Sequence, residues 1–296
     1  MSEKHLGKLT VREFFARFPD DDACLSHVME VRYGMRHVCR KCGVEGTFHK
    51  LSDRRAFSCS SCGDHLYPCA GTIFQDSRTP LQVWFYAIYL FVTTRHGVSG
   101  KELERTLGVT YKTAWRMGQQ IRLLMTKADD FEVMKGHIEM DETVVGGVRH
   151  GGKRGRGAAG KTIVFGMTER GGRTWATTIP DVKMDTIRAE VTGKIEPGSI
   201  VSTDEHHSYG LLWQEGLRHG RVRHRSKEYA RFDKRAGTTH HTNTIEGFWR
   251  LFKDSIRSTH IHVSAKYMDR YVSEFTFRSN HRAMQNAMFD LLIAAV

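Results

Sequence analysis

The chain has 296 residues, with 45 Lys and Arg against 33 Asp and Glu, and so carries a net charge of +12. That balance points to a polyanionic partner, nucleic acid ahead of a membrane surface. The longest apolar run, "LQVWFYAIYLFV" from Leu81 to Val92, is too short to span a bilayer, and the charged start "MSEKHLGKLT" lacks the apolar region of an export signal. Six cysteines in such a chain argue against a disulfide framework and for a cytoplasmic protein.

Residues 1–35 form an N-terminal helical segment, "LTVREFFARFPDDDACLSHVMEVRYG", broken at Pro19. Residues 36–75 are rich in Cys, Gly and Ser. Here "CRKCG" and "CSSCG" repeat one knuckle, pairing Cys39 with Cys42 and Cys59 with Cys62. The C-x2-C-x16-C-x2-C spacing is that of a zinc ribbon, and the glycine after each pair can take the positive φ of a tight turn. Four thiolates fill a tetrahedral site and leave no position for substrate, so this Zn²⁺ is expected to be structural. Cys24 and Cys69 fall outside the spacing and read as ordinary thiols.

Residues 76–130 read as helical, and "SGKELERTLGVTYKTAWRMGQQIRLLM" has the form of a helix-turn-helix. Leu103 and Leu107 anchor the first helix, Gly108 permits the turn, Val109 packs beneath, and Thr110 is a plausible N-cap for the second. Tyr111, Lys112, Thr113 and Arg116 would then face a DNA groove or its phosphates.

Residues 131–296 change period. "HIEMDETVVGG", "KTIVFGMTER", "RTWATTIP" and "SIVSTDEH" are strand-like, with a helix, "MDTIRAEVTGKI", between the third and fourth; the class is α/β. Asp141 sits inside an apolar strand, where a carboxylate is costly to bury unless a cation neutralises it, and Asp204 ends another strand. Alternation turns their neighbours Glu142 and Glu205 to the opposite faces. The segment "RHGGKRGRGAAGK" reads as a flexible basic loop for DNA phosphates, carrying Arg149, Lys153, Arg154, Arg156 and Lys161.

In "HHTNTIEGFWRLFKDS", Ile245, Phe248, Trp249, Phe252 and Ile256 recur at helical spacing as a buried stripe. A second stripe carries Asn243, Glu246, Arg250, Lys253 and Arg257: an amide, a carboxylate and then cations in line. With Asp141 and Asp204, Glu246 would complete an oxygen-ligand set of the kind Mg²⁺ takes. Asn243 reads either as a supporting ligand or as the N-cap of its helix.

The order of ribbon, helix-turn-helix, "MDETVVGG", "STDEHHSY" and "HTNTIEGFWRLFK" resembles the zinc-ribbon-bearing DDE transposases of bacterial insertion sequences, the group with an ISXO2-like catalytic domain. The resemblance runs from about residue 10 to about residue 285. It implies an RNase H-like catalytic domain with a mixed central sheet, acting on element ends and target DNA with two Mg²⁺ or Mn²⁺ ions. A homodimer or higher oligomer on DNA is expected. Carried over, Asp141 is the first catalytic aspartate, Asp204 the second, Glu246 the third acid, and Lys253 the basic residue that follows it. Relatives in this group often carry Asn in the third place, so Asn243 competes with Glu246 for that role. The chemistry implied is hydrolysis at the element end followed by attack of the freed 3′-hydroxyl on target DNA. A DNA-binding regulator with an inactive catalytic domain and a plain RNase H-like nuclease are the competing readings.

Overall fold

The computed structural model describes residues 9–146, 161–284 and 287–296. The chain divides into two compact units, one of residues up to Ala128 together with Ala283–Val296, the other Asp129–Arg282.

The first unit opens with α1 (Val11–Arg17), started by a capping box between Thr10 and Glu13, and α2 (Asp21–Tyr33), capped by the Asp20 carboxylate. Four short strands follow as one antiparallel sheet in chain order: β1 (Arg36–Val38), β2 (Glu45–Lys50), β3 (Phe57–Cys59) and β4 (His65–Leu66). The apolar run is α3 (Leu81–Thr93), which buries Trp84, Phe85, Ile88 and Phe91. It is a core helix. Next come α4 (Gly100–Leu107) and α5 (Tyr111–Ala128). Gly108 ends α4 in the left-handed region at φ 66°, and the Thr110 hydroxyl accepts from the Thr113 amide at 3.3 Å to start α5.

The second unit is a mixed α/β fold around β5 (His137–Val145), β6 (Thr162–Glu169), β7 (Thr174–Ile179), β8 (Ile200–Thr203) and β9 (Arg218–Arg221), with α6 (Met184–Val191) between β7 and β8. The sheet order is β7-β6-β5-β8-β9; β5, β6 and β7 pair antiparallel, while β8 pairs parallel to both β5 and β9. This mixed five-stranded sheet is consistent with an RNase H-like domain. A separate two-stranded hairpin, β10 (Arg231–Asp233) with β11 (Thr238–His240), leads into α7 (Asn243–Ser255). The helix runs on through a π-helical turn, Ile256–His260, before α8 (Met268–His281).

Each sheet face has its own core. Ile138, Met140, Phe165, Met167 and Val201 pack against Ile187 and Val191 of α6. On the opposite face Val164 packs against α7 and α8, and the anticipated stripe Ile245, Phe248, Trp249, Phe252 and Ile256 is buried there throughout. Strand alternation thus turns Glu139 and Asp141 toward α7, while Glu142 points the other way and accepts from the buried Tyr209 hydroxyl.

The last helix, α9 (Ala287–Ala294), folds into the first unit rather than with residues 131–282, the region that its place in the sequence suggests. The reason is aromatic burial: Phe289 is fully buried, its ring centroid 5.4 Å from that of Phe18, 5.8 Å from Phe85 and 6.0 Å from Phe14.

Candidate active site

Two contacts seat α7 on the sheet. Glu139 of β5 is fully buried and accepts from the Thr244 amide at 2.7 Å, the Ile245 amide at 3.2 Å and the Thr244 hydroxyl at 3.0 Å. These amides open the helix, where a carboxylate meets both unsatisfied donors and the positive end of the dipole. Arg170 donates to the same carboxylate at 2.8 Å and to the carbonyls of Thr239 and His241, and His241 Nδ1 lies 2.9 Å from it. The second contact is at Gly166 of β6, paired across the ladder with Asp141. A Cβ at Gly166 would stand 2.7 Å from Trp249 Cζ2, so only glycine lets the indole lie this close to the strand.

This seating brings Asp141 and Glu246 to one cavity of about 340 Å³, together with Arg250, Lys253, Asp254 and Arg257. Burial pushes the Asp141 carboxyl up to about 8, and the negative charges of Glu142, Asp204 and Glu246 add to the rise. Burial also pulls Lys253 below the usual lysine range; Asp141 opposes that fall and Arg257 reinforces it. Asp204 lies just beyond β8, where its carboxylate accepts from the His206 amide at 2.8 Å. Glu205 faces elsewhere, accepting from the amides of His224 at 2.8 Å and Arg225 at 3.3 Å.

Glu246 accepts from the Thr242 hydroxyl at 2.7 Å and lies 3.8 Å from His224 Nε2. Asn243 is the first residue of α7 and exposed; Thr242 holds the N-cap position, and Asn243 is not among the residues lining that cavity. Among the described residues, ligand atoms of three or more such side chains come within 4.8 Å of one another at the ribbon thiols and not at the acids. Asp141, Asp204 and Glu246 therefore interact through their charges rather than as a closed ligand cage. A carboxyl whose proton is held on by neighbouring carboxylates is nonetheless the setting that a divalent cation relieves.

Cys39, Cys42, Cys59 and Cys62 bring their sulfurs within 4.8 Å of one another, with Cys39 and Cys62 3.8 Å apart. Zn–S bonds of about 2.3 Å at tetrahedral angles need sulfurs about 3.8 Å apart, so the donor set fits a structural zinc. The knuckles match: Gly43 and Gly63 have φ of 70° and 73°, and their amides donate to the Cys39 and Cys59 carbonyls at 2.9 and 3.0 Å.

Of the side chains expected at a DNA surface, Tyr111, Lys112 and Arg116 are exposed and Thr113 is half-buried, while Arg250, Lys253 and Arg257 line the acidic cavity. Arg149, Lys153, Arg154 and Arg156 lie outside the described residues; Lys161 is half-buried.

Residues 133–280, half of the chain and holding Asp141, Asp204 and Glu246, match the ISXO2-like transposase domain. The chain belongs to the ISXO2-like transposase family. Residues 19–65 of this transposase match the transposase zinc-ribbon domain, a span that includes α2 and all four ribbon cysteines. It is also 26% identical over 267 residues to a Halobacterium salinarum protein described as "Uncharacterized protein in transposable element ISH50", covering 84% of this chain and 87% of that one. The family implies DNA as partner. Among the described residues of the transposase, no helix is long and apolar enough to cross a membrane.

Glu139, Arg170 and Gly166 escaped the sequence reading. Glu139 carried a signal, being two residues from Asp141 and so on the same strand face. Gly166 carried another, a lone glycine inside an apolar strand that marks a close approach.

Proposed function

We infer that the chain cleaves the ends of an insertion sequence and joins the freed 3′-hydroxyl to target DNA in a divalent-metal-dependent reaction. The observation that carries this reading is one cavity holding Asp141 and Glu246 beside Arg250, Lys253 and Arg257, with the charge of Asp204 felt at Asp141. Acids and cations so arranged meet two demands at once, a metal and a phosphodiester. Asp141, Asp204 and Glu246 would hold Mg²⁺ or Mn²⁺, with Asn243 supporting through its carbonyl or an ordered water. When bound, such ions activate a water or 3′-hydroxyl nucleophile and stabilise the attacking and leaving oxygens.

The chain's own residues do the rest. Arg250, Lys253 and Arg257 grip the phosphodiester backbone beside the acids, and the Glu139 and Gly166 contacts hold Glu246 at its distance from Asp141. The α4–α5 pair serves as the helix-turn-helix, presenting Tyr111, Lys112, Thr113 and Arg116 to end DNA, with Lys153, Arg154 and Arg156 on flanking phosphates. Catalysis takes place in an RNase H-like domain, on a dimer or higher oligomer assembled at the paired ends.

The test uses purified full-length protein with duplexes bearing the element's terminal repeats. Asp141→Asn and Asp204→Asn should each abolish cleavage in Mg²⁺ while end binding is kept. Cleavage at the wild-type rate by either variant rejects the site. Wild-type cleavage without strand joining would mark a plain nuclease, and binding without cleavage a regulator.

A further inference from the structure

The stretch from β9 to the start of α7 takes no part in that chemistry, yet it is strongly basic. Residues 218–235 hold eight Lys and Arg, all exposed, against two acids. Those acids are turned onto the backbone: Glu228 accepts from the Arg223 amide at 3.1 Å, and Asp233 from the Arg235 amide at 2.8 Å. The cations are left facing solvent, with Arg225 near Glu205 at 3.5 Å.

Interleaved with them are two large exposed rings, Tyr229 at 62% and Phe232 at 63% of full exposure. Phe232 sits in the hairpin β10–β11, which takes no part in the five-stranded sheet. The segment is nevertheless firmly rooted. Arg170 holds the carbonyls of Thr239 and His241, Ser202 bonds His240 at 2.8 Å, and Glu205 binds the amides of His224 and Arg225. Its roots are therefore fixed beside Asp204 at one end and the start of α7 at the other. A fixed base with bare rings among cations is the build of a stacking platform for unpaired bases, since each base offers a π-face and each phosphate a charge.

We propose that residues 218–240 form a binding site for unpaired DNA, with Tyr229 and Phe232 stacking on bases and the surrounding Arg and Lys holding the backbone. It rests on the transposase reading and deepens it: the strand next to the scissile phosphate is held with its bases exposed rather than as intact duplex. A protein partner with an acidic face would use the same charges but would not need aromatic rings at these two positions.

The experiment measures binding of the full chain to oligo(dT) of about 16 nucleotides and to a mixed-sequence duplex of equal length by fluorescence anisotropy. Tyr229→Ala/Phe232→Ala should lose about tenfold or more in oligo(dT) affinity while duplex affinity is unchanged. Arg231→Ala/Arg235→Ala should weaken both and flatten the oligo(dT) salt dependence by about 0.7 for each phosphate no longer neutralised. Phe232→Leu keeps an apolar side chain without a ring and should behave as Phe232→Ala, whereas Phe232→Trp should retain binding. Oligo(dT) affinity unchanged in the double aromatic variant, or oligo(dT) and duplex weakened equally, overturns the proposal. End cleavage in Mg²⁺ is assayed in parallel: a wild type that holds oligo(dT) through these rings but never cleaves defeats the transposase reading alone. Cleavage with ring-independent oligo(dT) binding defeats this one alone.

Discussion

Glu246 and Asn243 stand one helical turn apart at the start of α7, and what separates them is charge and reach. Glu246 lines the cavity with Asp141 and adds to the charge that holds a proton there; Asn243, exposed on the first helical position, does neither. An amide oxygen offers a metal only a dipole, a carboxylate a full charge. Glu246→Gln is therefore expected to be close to inactive for cleavage in both Mg²⁺ and Mn²⁺. Asn243→Ala, acting through an outer contact, should lose about 10–100-fold. A dead Asn243→Ala beside a Glu246→Gln that cleaves normally would reverse the assignment.

At the scale of elements, the position of α7 is set from β5 by one buried carboxylate. In Glu139→Gln one oxygen becomes a donor facing donors, and Arg170 loses its buried counter-charge. Breaking a buried pair from one side costs about 3–5 kcal/mol, and urea unfolding should show a loss of that order. A change below about 1 kcal/mol would mean that α7 is held by its apolar stripe alone. The ribbon poses the same question for a metal. So small a sheet, with its four thiolates drawn together, should keep about one zinc per chain and lose its fold when a strong chelator removes it. Metal analysis and thiol reactivity read this directly; folded protein with four freely reactive ribbon thiols would refute it.

These elements also show what a sequence can display. The ribbon was legible because its chemistry lies in local spacing, and the α7 stripe because burial imposes a period of 3.6 residues. Asp141 stood out as a charge in an apolar strand. Glu139 stood in the same strand unremarked, since its partners at Thr244 and Ile245 lie 105 and 106 residues away and no local pattern records them.

For the molecule as a whole, acid is the informative stress. Burial, with Arg170 nearby, brings His137 down to about 4, and burial with Arg221 does the same for His219; His240 is lowered as well. These rings are neutral in the fold, while an unfolded chain takes up protons below about 6.5. The stability they contribute is complete above about 6.5 and is lost as pH falls toward 4. Asp141, its carboxyl held up at about 8, works in the opposite direction over the same range, so the decisive reading is the difference between two thermal melts. From pH 7 to pH 5 the second unit of His219→Gln should lose less stability than that of the wild type; an identical pH profile in the two would mean that His219 takes up its proton in the fold as readily as in the unfolded chain.

The return of α9 to the first unit sets an order of events during synthesis. Phe14, Phe18 and Phe85 leave the ribosome early, but the Phe289 ring that packs against them is made only after the whole of Asp129–Arg282. At about 5–20 residues per second, that intervening stretch takes roughly 8–30 s to translate. For that interval the first unit waits with part of its aromatic core uncovered, and the second has all its residues before Phe289 is made. The nascent chain thus completes its second unit before the first.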